Sequence, residues 1–246
     1  MYYFGVYHWR KGLRAAAALG VAGAMAAVTP RLSRGRLLAG VGAAGIGAAG
    51  AAGLADLLEP RPWSLDRRRY EVLASELPLS DADSLLDVGC GTGRSLVGLA
   101  PAVPDDCEVT GLDRFDDRII LGNGPELARY NARQAGVDPE LVAGDATDMP
   151  LDDDSHGVVT SCMMLHDLPE ATIRAALSEM GRVCEPDGRV GLIELPLVDD
   201  ERSVPSTFWR DAVADTGMTV ESVRSFPWPG GEGDYTVVVA SPEDGD

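Results

Sequence analysis

Apolar and polar positions divide the chain into three regimes. Ala15 to Val28 is apolar without interruption, and Leu37 to Ala55 repeats this over 19 residues. As a helix the second run spans about 28 Å at 1.5 Å per residue, close to the thickness of a bilayer core. The first reaches that length if it starts at Gly12 and tilts, with Arg14 snorkelling toward the headgroups. Beyond Pro60-Arg61-Pro62 the pattern turns amphipathic. A helix from Leu65 to Leu77 would set Leu65, Tyr70, Leu73 and Leu77 roughly along one face, with Ser64 as its cap. From Asp83 onward, strands ending at Asp87, Asp113, Ala143, Cys162 and Leu195 alternate with helical stretches, among them one to Ala100, Pro125 to Gly136 and Glu170 to Val183. A helix around Ser206 to Thr216 and strands Thr219 to Phe226 and Tyr235 to Ala240 close the series. Such alternation predicts an α/β fold, a parallel sheet with helices on both faces. The chain therefore divides into a hairpin over 1–60, a connecting helix over 61–78, an α/β domain over 79–242 and an acidic tail over 243–246.

The two apolar runs are rich in Ala and Gly. Pairs four apart, Gly40 with Ala44 and Ala43 with Gly47, would let two helices approach closely. Arg31, Arg34 and Arg36 lie between the runs, whereas Arg10, Lys11 and Arg14 precede them and Arg61, Arg67, Arg68 and Arg69 follow. Seven basic residues against three predict a two-pass membrane hairpin with both flanks and the following domain in the cytoplasm. Tyr2, Tyr3, Phe4, Tyr7 and Trp9 fall where an interfacial aromatic belt is expected. A cleaved secretory signal fits badly because a second apolar run follows at once, and a soluble Ala-rich helical pair is the remaining alternative.

Charge changes the picture of possible partners. Residues 1–77 hold 10 basic and 5 acidic side chains, and residues 78–246 hold 11 and 34, for a net charge of −18. An acidic surface repels phosphates, which disfavours a nucleic-acid substrate and points to small molecules. Lys11 is the only lysine, and an acidic, lysine-poor surface suits a salt-rich cytoplasm that screens self-repulsion. Cys90, Cys107, Cys162 and Cys184 show no C-x-x-C pair and no neighbouring His, so they read as core or turn thiols, with no metal expected.

The chemistry concentrates at Leu85-Leu86-Asp87-Val88-Gly89-Cys90-Gly91-Thr92-Gly93-Arg94, a strand, a glycine turn and a helix start. Glycines let the backbone bend and approach a ligand, and the helix start points free N–H groups toward it. About 20 residues later a second strand ends in Asp113, placed to accept from ribose hydroxyls. A third element ends in Asp145, a fourth strand leads into Met163-Met164-Leu165-His166-Asp167-Leu168-Pro169, and a fifth follows Glu185-Pro186-Asp187-Gly188. These signals in this order resemble the class I S-adenosylmethionine-dependent methyltransferases over roughly residues 79 to 240. The D-A-x-x-x-P-L run at Asp145 to Leu151 and the L-H-x-L-P run at Leu165 to Pro169 resemble the group acting on quinones, phospholipids and other small lipophilic molecules. Two features depart from the usual pattern: Ser155-His156-Gly157 where Ser-Phe-Asp is usual, and a long stretch from Arg114 to Gly124 like a loop of some membrane-attached members.

The resemblance implies a Rossmann-like seven-stranded sheet of order 3-2-1-4-5-7-6 with an antiparallel last strand, and S-adenosylmethionine as cofactor. Gly89, Gly91 and Gly93 would admit its methionine half, and Asp87 would orient the turn or reach the amino group. Asp113 would take the ribose, Asp145 and the backbone of Ala146 the adenine, with Cys90, Arg114 and Cys162 completing the set. His166 would act as a general base or only pack. Met163, Met164, Leu165, Phe208, Trp209 and Trp228 would line an apolar acceptor pocket. A non-catalytic cofactor-binding subunit stays open. A nicotinamide-dependent oxidoreductase is the poorer alternative, since its usual catalytic Tyr-Lys pair has no lysine to draw on beyond Lys11.

Overall fold

The computed structural model describes residues 1–7, 9–29, 36–56, 61–196, 204–227 and 233–243. Of the sequence expectations, Arg31, Arg34, the side chain of Arg36, Pro60, Trp228 and the tail beyond Glu243 lie outside these residues. The chain forms two compact units, one of residues 1–64 with 116–123, the other of 65–115 with 124–246.

In the first unit, β1 (Val6–Tyr7) precedes α1 (Trp9–Val28) and α2 (Arg36–Asp56). The two helices pack on each other through small residues. A Cβ on Gly53 would lie 3.0 Å from Ala15 Cβ, one on Gly50 2.8 Å from Leu19 Cγ, and one on Gly47 3.6 Å from Ala22 Cβ. The close seam is thus Gly47–Gly50–Gly53, displaced from the expected Gly40–Ala44 pair, because Gly40 meets only the Thr29 methyl at 4.0 Å. Both helices are long and apolar enough to cross a membrane, and less than a fifth of either apolar window is buried. Strand β1 pairs antiparallel with β4 (Ile120–Leu121), so part of the long stretch after Asp113 belongs to this unit. Trp9 donates its indole N–H to the Asp117 carbonyl at 2.8 Å. Phe4 is wholly buried, stacks with Tyr2 and donates its N–H to the Pro62 carbonyl, so it packs within protein rather than forming an exposed belt.

The second unit opens with α3 (Arg67–Glu76). Its N-cap is Asp66 rather than Ser64, whose hydroxyl donates instead to the Arg61 carbonyl. Tyr70, Leu73 and Leu77 are buried, as the amphipathic pattern predicts. The strands are β2 (Ser84–Val88), β3 (Glu108–Asp113), β5 (Glu140–Ala143), β6 (His156–Cys162), β7 (Cys184–Glu194), β8 (Thr219–Pro227) and β9 (Asp234–Ser241). The helices between them are α4 (Arg94–Leu99), α5 (Pro125–Gln134), α6 (Glu170–Val183) and α7 (Pro205–Ala214). Sheet order is β5-β3-β2-β6-β7-β9-β8, with only β9 antiparallel to its neighbours, as the resemblance implies.

Alternating strand residues bury two cores. One face packs Leu177, Met180 and Trp209 of α6 and α7 against Leu86, Val159 and Leu192. The other packs Tyr70, Leu73 and Leu96 of α3 and α4 against Leu85, Val158 and Ile193. His156 and Gly157 sit at the amino end of β6, opposite Cys162, so the departure there leaves the carboxyl edge of the sheet untouched.

Candidate functional site

Strand register brings the chemistry onto one edge. Val88 pairs with Leu112 and Ser161, Asp113 with Ala143, and Cys162 with Ile193. The residues that follow are therefore neighbours: the glycine turn after β2, Asp113 ending β3, Gly144-Asp145 after β5, Met163 after β6 and Glu194 ending β7. Sheet order reverses between β2 and β6, and this switch point is where open α/β sheets take ligands.

The glycine turn is shaped first by packing. Gly89, Gly91 and Gly93 all have positive φ, which favours glycine. A Cβ on Gly89 would meet Met164 Cγ at 2.6 Å, and one on Gly93 the Ala128 carbonyl at 2.7 Å. Asn131 of α5 donates to the Thr92 carbonyl at 2.9 Å from a fully buried position, fixing the turn from behind. The N–H groups of Gly89 and Cys90 both donate to the Leu112 carbonyl.

The three strand-end acids differ in exposure. Asp87 is wholly buried and accepts hydrogen bonds from Ser95 in the first turn of α4 and from Thr160 of β6, the latter at 3.1 Å. Burial pushes its carboxyl up to about 7, against these two hydrogen bonds. Its side chain ties the start of α4 to β6 and leaves no exposed surface. Asp113 is half-buried and held from both sides: Gly91 N–H donates to Oδ2 at 3.0 Å and Phe115 N–H to Oδ1 at 2.6 Å. Phe115 takes a positive φ to make that bond. Asp145 Oδ1 accepts from both the N–H and hydroxyl of Thr147, which hold its pKa below the usual carboxylate range. Its Oδ2 is 3.8 Å from the exposed guanidinium of Arg114. The run from Asp145 to Leu151 is braced by α6: Glu179 accepts from Met149 N–H, and Arg182 donates to the carbonyls of Met149 and Leu151.

Cys90 and Cys162 belong to the core on the α3 face, where burial raises both thiols well above their ordinary range. Any part they play toward a ligand falls to their backbone. Leu165 and Trp209 are likewise wholly buried, Trp209 donating to the Leu195 carbonyl at 2.9 Å, so both pack rather than line an opening. Ala146, Met164 and Phe208 are partly buried against the core on the α6 and α7 face, and Met163 against the core on the α3 face.

Sequence reading missed Glu194. This fully buried carboxylate accepts from Met164 N–H at 3.0 Å, Leu165 N–H at 2.9 Å and His166 N–H at 3.3 Å. It also lies 2.7 Å from His166 Nδ1. The short 3-10 turn over Leu165–Asp167 is thus built on one side chain. Burial works against charge on His166, but the bond to Glu194 outweighs it and raises the imidazole pKa. Nε2 stays clear of Glu194, with Asp167 Oδ1 at 3.8 Å. The available signal was an acid closing an otherwise apolar strand, Gly191-Leu192-Ile193-Glu194.

Part of the chain is similar to known methyltransferases. Residues 85–188 match the model of a methyltransferase domain. That stretch is similar to methyltransferase domains and covers less than half of the chain. A demethylmenaquinone methyltransferase of Staphylococcus aureus is 36% identical over 109 residues, covering 44% of this chain and 42% of the relative. The matched stretch is thus less than half the length of that relative. Among solved structures, a Burkholderia thailandensis 1,6-didemethyltoxoflavin-N1-methyltransferase superposes with a TM-score of 0.57 at 18% identity, covering 73% of this chain and 80% of that one. A [4+2]-cyclase superposes with a TM-score of 0.59 at 18% identity, covering 73% and 82%. These likenesses carry the fold, and the cyclase marks it as one not confined to methyl transfer. The nicotinamide-dependent alternative loses its support, because the glycine turn lies in the methyltransferase match and Lys11 lies in α1.

Proposed function

We propose that the chain transfers a methyl group from S-adenosylmethionine to a small lipophilic acceptor with an ionisable hydroxyl, a quinol being the leading case, at a membrane surface. The observation that carries this reading is the Glu194–His166 pair on the same sheet edge as the glycine turn and Asp113. The acceptor class is supported by the quinone-methylating relative and by the two exposed apolar helices of the first unit.

The donor set suits the cofactor, whose outward groups are ribose hydroxyls and amino groups that need acceptors. Asp113, its two oxygens positioned by the N–H groups of Gly91 and Phe115, would take the ribose hydroxyls. Asp145 Oδ2 and the Ala146 N–H would hold the adenine, while Gly89 to Gly93 give the methionine half room. When bound, the cofactor supplies a methyl group on a positively charged sulfur, a leaving group that needs no acid.

His166 does the remaining proton work. With Nδ1–H donated to Glu194, Nε2 carries the lone pair and takes the acceptor's hydroxyl proton. The electron pair left on the acceptor would be available to the methyl group that the bound cofactor would supply. Met163 and Met164 give this reaction an apolar wall that excludes water. The two helices would anchor the protein with its basic flanks and methyltransferase unit on the cytoplasmic side.

The test uses the full chain in lipid vesicles with methyl-labelled cofactor and demethylmenaquinol, with product mass as readout. Label in the quinol, and none in RNA or protein, is the expected result. Absence of S-adenosylhomocysteine binding by calorimetry would overturn the methyltransferase reading, whereas binding without transfer to any lipophilic acceptor would favour a cofactor-binding subunit.

A further inference from the structure

Among the described residues, Arg69 is a cation held by phenol oxygens rather than by a carboxylate, in a chain rich in acids. Its Nη2 donates to Tyr70 Oη at 2.9 Å and its Nη1 to Tyr235 Oη at 3.2 Å, while the guanidinium lies 4.8 and 5.9 Å from the two ring centroids. Nε is buried with no hydrogen-bond partner. Among the described residues no acid pairs with it, whereas Arg133, Arg174, Arg182 and Arg224 each lie 3.0 Å or less from a carboxylate. Burial opposes the charge, but the two phenol oxygens more than offset this and keep Arg69 protonated.

Its position gives the cation a use. Tyr235 is the second residue of β9, and the next residue, Thr236, pairs with Glu194, the carboxylate that holds His166. The charge of Arg69 also acts on the thiol of Cys162, the last residue of β6. Arg69 therefore belongs to the β6–β7–β9 side of the edge, where His166 stands, and not to the β2–β3–β5 side that carries Asp113 and Asp145. A partly desolvated guanidinium with three N–H groups to spare is a receptor for an oxyanion.

We propose that Arg69, steadied by Tyr70 and Tyr235, receives the deprotonated hydroxyl of the acceptor and so selects phenol- or quinol-type rings. This rests on the methyltransferase reading. Once the hydroxyl proton has passed to His166, the negative oxygen faces the guanidinium rather than low-dielectric protein, which favours ionisation of an acidic hydroxyl over that of an alcohol.

The experiment titrates the S-adenosylhomocysteine-loaded full chain in detergent at neutral pH with two probes. One is 2-hydroxy-1,4-naphthoquinone, anionic under these conditions; the other is neutral 2-methoxy-1,4-naphthoquinone. The wild type is expected to bind the anion about 10-fold or more tightly over the ether. Arg69→Gln should abolish that preference with S-adenosylhomocysteine affinity unchanged, Arg69→Lys should keep part of it, and Tyr235→Phe should reduce it several-fold. No preference in the wild type, or one that survives Arg69→Gln, overturns the proposal. So does a loss of S-adenosylhomocysteine affinity in Arg69→Gln, which would assign the cation to the cofactor's carboxylate. Should Arg69→Gln fail to fold, an unchanged preference in Tyr235→Phe is itself decisive against the proposal. Failure of the wild type to bind S-adenosylhomocysteine is a separate result and strikes the methyltransferase reading instead.

Discussion

Asp87, Asp113 and Asp145 follow the same sequence logic, an acid at or just past a strand end, and burial alone separates their roles. Asp87 is sealed between Ser95 and Thr160, and its raised pKa has a consequence for stability. Between its ordinary value of 3.8 and about 7 the folded chain keeps a proton that the unfolded chain releases, so stability falls as pH rises through that window. Asp87→Asn should remove that slope. Melting curves at pH 5 and pH 8 are expected to show the wild type losing on the order of 2–4 kcal/mol more than the variant across the interval. For Asp113, both oxygens are positioned by backbone N–H groups, and Asp113→Ala should weaken S-adenosylhomocysteine binding by about 1–3 kcal/mol in calorimetry. Glu194 makes a third prediction. Because it raises the His166 pKa, the acidic limb of the kcat profile should lie above the ordinary imidazole value of 6.5. Glu194→Gln should move that limb to lower pH and reduce kcat at the optimum, whereas a merely structural role would leave the limb in place. Sequence reading reached His166 but not its partner, because 28 residues separate them and only the β6–β7 pairing brings them together. It also could not tell that Asp87 faces inward, since a buried and an exposed strand-end acid look alike in one dimension.

Elements were more legible than contacts between them. Six strands of the seven-stranded sheet stand within a few residues of their expected places and Glu170–Val183 stands as the pattern predicts, whereas β7 begins at Cys184 and includes the Glu185-Pro186-Asp187-Gly188 stretch expected as a turn. Contacts of small residues were hidden, because a glycine announces freedom of the backbone and not what approaches it. Gly98 of α4 is the clearest instance: a Cβ there would lie 2.2 Å from Cδ2 of the Tyr70 ring. Helix α3 rests on α4 through this gap, and Tyr70 in turn holds Arg69. Gly98→Ala should therefore lower thermal stability by about 1–3 kcal/mol in denaturation curves, by forcing the ring outward. The start of α3 was misplaced for a related reason. Ser64 is a good capping residue by type, but the chain turns at Arg61 and takes up its hydroxyl there.

At the scale of the whole molecule, the first compact unit takes in residues 116–123 as well as 1–64, a membership the sequence did not announce. A two-residue strand, Ile120–Leu121, leaves no periodic trace in a sequence. Removal of residues 1–64 should thus strand β4 without its partner. On gel filtration that truncation is expected to aggregate, and replacing 116–123 with a short polar linker should restore a monodisperse methyltransferase unit. The pairing of Val6 with Leu121 and of Tyr7 with Ile120 also sets an order of events during synthesis. Helices α1 and α2 leave the ribosome first, yet their unit stays incomplete until β2 and β3 of the 7-stranded sheet have been made. Residue 121 emerges only after β2, the glycine turn and β3, so the apolar pair must wait, already shielded by a membrane or a chaperone, while the cofactor cradle takes shape behind it.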